Sequence, residues 1–92
     1  MRIIYRVHAL QRMFQRGISR DDVESVIRKG EVIENYPEDF PYPSRLMLGW
    51  KGKRPIHLVV AENRAKKERV IVTAYEPARD HWEAGFKKRR KR

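Results

Sequence analysis

His8 and Arg12 stand four residues apart in HALQRMFQRGIS, residues 8–19. On a helix that spacing puts both side chains on one side, one turn apart. A guanidinium offers a two-pronged donor to phosphate oxygens, and an imidazole gives or takes a proton near neutral pH. Together they can hold a phosphodiester and move a proton. Farther along, IHLVVAE (56–62) and RVIVTAY (69–75) contribute His57, Thr73 and Tyr75, an imidazole, a hydroxyl and a phenol. The reaction such a set suits is metal-free RNA cleavage. The ribose 2′-hydroxyl loses its proton and attacks the adjacent phosphate, and the 5′-oxygen leaves with a proton. A well-placed acid or base contributes about 100- to 10,000-fold in rate, and a cation beside the phosphorane adds an electrostatic contribution. The catalytic set expected from the residues is His8, Arg12, His57, Thr73 and Tyr75. The same residues also read as the solvated face of a helix and the half-exposed face of a sheet.

Other chemistries find less support. The histidines, His8, His57 and His81, fall in no H-E-x-x-H pattern, and there is no cysteine, so neither a metal nor another cofactor is expected. The acidic residues are scattered, which argues against a two-metal nuclease. The absence of cysteine also excludes disulfides. No apolar run approaches the length of a membrane span, and Arg2 and Arg6 bracket only IIY, so no leader or membrane association is expected and the cytoplasm is the expected location.

The formal net charge is +10, and the closing KKRRKR carries six of those charges, which leaves +4 for residues 1–86. Such a tail binds polyanions in a salt-sensitive way through counterion release. The RNA-binding residues expected are Arg45, Arg69, Lys87, Lys88, Arg89 and Arg90, with RNA, free or on ribosomes, as the partner.

The elements that must position these groups are legible in the periodicity. Val7, Leu10, Met13 and Phe14 follow helical spacing as an apolar stripe, and Gly17 suits the end of that helix. Ser19 with Asp22 reads as a capping box opening a second helix, whose stripe is Val23, Val26 and Ile27 and which Gly30 ends. Strands are expected at 32–36, 45–50, 56–62 and 69–75, with Pro37, Pro41 and Pro43 making a loop after the first. Alternation places Ile56, Leu58, Val60, Val70, Val72 and Ala74 on one core face. A hairpin centred on Ala65 would set His57 opposite Thr73, with Tyr75 diagonal, on the other face. ARDHWEAGF reads as a C-terminal helix running into the tail. The expected fold is α+β: two N-terminal helices packed on a four-stranded antiparallel sheet, a single domain over 1–86, and a basic tail at 87–92. FQRGISRDDV also resembles a helix-turn-helix joint. Asp21, Asp22 and Glu24 would then face DNA phosphates, which argues against DNA reading.

The blocks HALQRMFQRGIS..DV..VI..GEVIE.YP, PS..MLGW....PIHLVVA and VIVTAYEP, spanning about His8 to Pro77, resemble domain-of-unknown-function family 4258. The positions coinciding with its signature are His8, Arg12, Gly17, Pro43, Ser44, His57, Thr73, Tyr75 and Pro77. The family is similar to the barnase–EndoU–colicin–RelE-like ribonucleases. That resemblance implies N-terminal helices on a four-stranded antiparallel sheet and metal-independent RNA cleavage. It further implies a toxin neutralised by an antitoxin protein, either an acidic segment or a small zinc-containing protein. Fold likeness does not fix function. A non-catalytic module binding RNA or protein through the same basic surface is the alternative.

Overall fold

The computed structural model describes residues 1–91. Its elements, in chain order, are β1 (Arg2–Tyr5), α1 (Val7–Arg16), α2 (Arg20–Lys29), β2 (Glu31–Tyr36), β3 (Ser44–Lys51), β4 (Arg54–Asn63) and β5 (Glu68–Tyr75). The strands form one sheet in the order β1-β5-β4-β3-β2. β2 to β5 make an antiparallel meander, and β1 lies parallel to β5, with Ile3 beside Arg69 and Tyr5 beside Ile71. The sheet is therefore five-stranded and mixed, not the expected four-stranded antiparallel one. β1 is only IIY with one arginine, too short to show a period, and its partner lies at the far end of the chain. A parallel pairing needs a long crossover, which here contains both helices and three strands.

Both helices lie on one face of the sheet. α1 has no side-chain cap at its start, and its last turn is closed by Gly17 at φ 64°, whose N–H donates to the carbonyls of Met13 and Phe14. Only glycine holds that left-handed angle without cost. α1 buries Ala9 and Met13, while Val7 and Phe14 of the expected stripe stay 71% and 89% exposed. The helix is rotated so that the small Ala9 lets it approach β5 closely. α2 begins with the expected capping box: the Asp22 N–H donates to Ser19 Oγ at 3.0 Å, and the Ser19 N–H donates to Asp22 Oδ2 at 2.8 Å. Ser19→Ala is expected to cost about 1 kcal/mol and to lower Tm by roughly 5 °C in a thermal melt.

Ala9, Met13, Ile18, Val23 and Val26 from the helical half pack on Met47, Ile56, Leu58, Val60, Ile71 and Ala74 of the sheet. Full burial of each large aliphatic side chain contributes about 1.5–3 kcal/mol. Ile71, expected on the other face, is in this core, and Val70 is not. The cause is a β-bulge. Val59 pairs with Thr73 but Val60 pairs with Ile71, so Val72 is an extra residue that reverses the alternation of β5. The turn shifts the expected register by one residue and the bulge by one more, so His57 stands opposite Tyr75, and Thr73 stands opposite Val59.

The second face is also covered. Leu46, Leu48, His57, Ala61 and Val70 are buried there together with Trp82. The cover is the chain beyond Pro77, which is not the expected helix. It folds back on itself through one bridge between Trp82 and Arg89, with Gly85 at φ 88° and Phe86 at φ 62° in the turn. Helix periodicity loses here because the indole gains more by lying on the sheet than a solvated helix would.

Candidate functional site

β4 runs through the middle of the sheet, so a polar side chain on it must find partners inside the protein. His57 is fully buried. Its Nε2 lies 2.9 Å from the Phe86 carbonyl oxygen and its Nδ1 lies 3.3 Å from the Tyr75 hydroxyl. A carbonyl only accepts, so the network assigns the proton to Nε2, and Nδ1 accepts from Tyr75. The Trp82 ring stands edge-on to the imidazole, with centroids 4.4 Å apart, and the Tyr75 ring does so at 5.4 Å.

On the same face two strands away, β2 contributes Glu34 and Tyr36, opposite Leu46 and Ser44, which in turn stand opposite Val59 and Ala61 of β4. The Tyr36 hydroxyl donates to Glu34 Oε1. Arg89 donates to the same carboxylate through Nε at 3.1 Å and a terminal nitrogen at 3.2 Å. Its guanidinium also sits 4.7 Å over the Trp82 ring. Beside this pair, Lys87 Nζ is 2.9 Å from Glu31. This face thus holds the His57 imidazole and the Tyr75 phenol, linked through the Trp82 indole to the Arg89–Glu34 pair, with the Tyr36 phenol bonded to that carboxylate farther along the sheet.

Burial pushes the His57 imidazole down from its ordinary value, and the Arg89 charge adds to that; the bond to the Phe86 carbonyl and the charge of Glu34 oppose it without reversing it. Burial alone would raise the Glu34 carboxyl, but hydrogen bonds from Arg89 and Tyr36 outweigh burial and hold it below the usual range. Burial raises the Tyr75 and Tyr36 hydroxyls, Glu34 reinforcing the effect on both. At neutral pH the site is therefore a neutral imidazole beside an ionised carboxylate.

The His57 shift carries a stability consequence. Because the folded state resists protonation, the unfolded chain takes the proton first as pH falls. His57 therefore stabilises the fold fully above its unfolded value of about 6.5 and loses that contribution progressively below it. Wild-type chemical denaturation midpoints should fall between about pH 7.5 and about pH 5, and those of His57→Gln should fall less over the same window.

The other expected residues are dispersed. Thr73 is half-buried on the His57 face, opposite Val59. His8 and Arg12 are exposed on α1, in the helical layer on the far side of the sheet. Arg45 and Arg69 also lie toward the helical side, at the sheet end remote from His57. Arg45 stands opposite Val60 and donates to Glu62 at 3.3 Å, and Arg69 stands opposite Glu62. Lys88 and Arg90 are exposed, with Arg90 Nε donating to the Arg79 carbonyl at 2.8 Å. Of the tail, Arg92 lies outside the described residues. Of the residues expected from sequence, the fold gathers His57, Tyr75 and Arg89. It adds Glu34, Tyr36 and Trp82, of which the first two were readable as alternate residues of VIENY and the third was hidden in the expected helix.

Among the described residues no three His, Cys, Asp or Glu side chains converge as a metal cluster, and no helix is long and apolar enough to cross a membrane. A cleft of about 270 Å³ between α2 and β3 holds Lys29 and Glu31 but no proton-transfer pair.

No curated protein and no solved structure matches the chain. A family model described as "Domain of unknown function (DUF4258)" matches residues 5–76, which takes in the last residue of β1, both helices and the whole meander to Tyr75. That match covers well over half of the chain and contains His57, Tyr75, Glu34 and Tyr36, so the protein belongs to the DUF4258 family.

Proposed function

We propose that the protein is a metal-independent endoribonuclease acting at the His57 face of the sheet. The observation that carries the reading is the convergence of His57, Tyr75, Glu34 and Arg89, because these groups together can move a proton and neutralise a phosphate. Once the Phe86 carbonyl leaves Nε2, the imidazole proton sits on Nδ1, where the Tyr75 hydroxyl oxygen accepts it, and Nε2 of the neutral His57 takes the proton of the ribose 2′-hydroxyl. The 2′-oxygen forms its bond to phosphorus, the bond from phosphorus to the 5′-oxygen breaks, and the imidazolium returns the proton to that oxygen. Products are a 2′,3′-cyclic phosphate and a 5′-hydroxyl, with no external reactant consumed. Arg89, taken from Glu34, balances the charge that grows on the phosphorane. Tyr75 holds the imidazole in orientation, and Thr73 is placed to contact substrate. His8 and Arg12, across the sheet, serve as RNA contacts in this reading, together with Arg45, Arg69, Lys87, Lys88 and Arg90. The biological role proposed is a toxin acting on free or ribosome-bound RNA in the cytoplasm, held in check by an antitoxin protein. The net charge of +10 supports a polyanionic target.

Full burial of His57, with both ring nitrogens bonded inside the protein, favours a second reading as a non-catalytic RNA- or protein-binding module. Incubation of purified protein with a mixed RNA in EDTA separates the two. Cyclic-phosphate ends, reduced about 100-fold or more in Arg89→Ala, support the nuclease. RNA retained uncut, with and without ribosomes, leaves the binding module standing.

A further inference from the structure

We propose that residues 76–91 are a strap that closes the His57 site at rest and that RNA opens, its phosphates drawing Lys87 and Arg89 away from Glu31 and Glu34. Only the naming of RNA as the displacing ligand rests on the ribonuclease reading; the closed state is a feature of the fold.

The strap is built to move as a unit. Its own backbone ties it together: the Glu83 N–H donates to the Lys88 carbonyl at 2.8 Å, Phe86 to Glu83 at 2.9 Å, and Arg90 to His81 at 3.0 Å. It hangs from β5 by Glu76 and Pro77, without helix or strand of its own. It is held on the sheet by the Trp82 indole against His57, the bond from His57 to the Phe86 carbonyl, the Phe86 ring against Trp50, and two ion pairs. Phe86 is at φ 62°, an uncommon and costly angle for a bulky residue, and it is the residue whose carbonyl covers His57 Nε2. Letting go of His57 would allow that backbone to relax.

The sign of the ion pairs says what opens it. Both cations are on the strap and both carboxylates are on β2. Three of the four side chains are more than half exposed: Lys87 57%, Glu31 53% and Arg89 60%. Ion pairs that wet are weak and screened, so a run of phosphodiesters competes for the same cations on favourable terms. Lifting takes the Phe86 carbonyl off Nε2 of His57, where the strap's cations then hold the RNA, while Tyr75 on β5 stays at Nδ1.

The opening can be read by a zero-length carbodiimide cross-link on the full chain. The Lys87–Glu31 pair at 2.9 Å reports the strap, and the Lys51–Asp22 pair at 3.1 Å, between β3 and α2, is an internal control. The probe is a 2′-O-methylated oligoribonucleotide, which keeps the phosphates and lacks the attacking hydroxyl. At saturation the Lys87–Glu31 yield should fall about tenfold while the Lys51–Asp22 yield holds. Trp82 fluorescence in Trp50→Phe should become open to acrylamide in parallel. Glu34→Gln should bind the probe more tightly than Glu38→Gln, which changes the net charge equally but lies in the 37–43 loop. Probe binding with both cross-links and the Trp82 signal unchanged overturns the strap, even if native RNA is cut. Strap opening with no cutting of native RNA upholds the strap and removes the nuclease. No binding at low salt removes both.

Discussion

His57→Gln should abolish RNA cleavage while leaving the protein folded, and His57→Leu should lose both. Glutamine keeps an amide donor for the Phe86 carbonyl that His57 Nε2 now serves at 2.9 Å, so its thermal melt should stay within about 1–2 kcal/mol of wild type. An amide cannot carry a proton near neutral pH, so the cyclic-phosphate product should fall by about 100- to 10,000-fold. Leucine fills the space but strands the Phe86 carbonyl and the Tyr75 hydroxyl, each about 1–3 kcal/mol if left unsatisfied. Its Tm should drop by about 10 °C or more. Cleavage that survives in His57→Gln would remove the imidazole from the chemistry. Equal melts for the two variants would show that the strap does not depend on the bond from His57.

Gly30→Ala should be the most damaging single methyl in the chain. A Cβ built on Gly30 would lie 2.5 Å from the Val26 carbonyl oxygen and 2.7 Å from the Leu48 carbonyl oxygen. Both atoms are backbone, held by α2 and by the sheet, so neither can retreat without moving an element. The expected cost is about 3 kcal/mol, or a Tm lower by roughly 10–20 °C. Gly49, on the neighbouring strand, is instructive by contrast, because its Cβ would meet the Val26 side chain at 2.5 Å. Gly49→Ala should therefore be partly rescued by Val26→Ala, whereas Gly30→Ala should not. Equal rescue of the two would mean that α2 yields more readily than its packing implies.

These positions show why some of the fold reads directly from sequence. Capping of α2 by Ser19 and Asp22, and the stop at Gly17, are decided by residues within a few positions of one another, so local chemistry is enough. The meander from β2 to β5 is legible for the same reason, since each strand pairs with the next. β1 is not, because four residues show no period and their partner is some 66 residues away. The reversed alternation in β5 is not legible either. A bulge is one extra residue, and nothing in RVIVTAY marks Val72 as the one left over.

The candidate site divides along the same line. Residue types alone marked His57 and Tyr75 as candidate catalytic groups and Arg89 as a candidate RNA contact, because imidazole, phenol and guanidinium carry their chemistry wherever they fall. Sequence also determined the basic charge, the two capped helices and the strand meander. Only the tertiary structure decided which of these groups meet. It set His8 and Arg12 in the helical layer across the sheet, because α1 must turn Ala9 and Met13 to the core and so carries its polar face outward. It put Glu34 and Tyr36 on the His57 face through the pairing of β2, β3 and β4, and linked Glu34 to the imidazole through Arg89 and Trp82. It also laid Trp82 over the imidazole, because the buried indole outweighs the helical period of its own segment. Such juxtapositions depend on contacts distant in sequence, and local periodicity does not contain them.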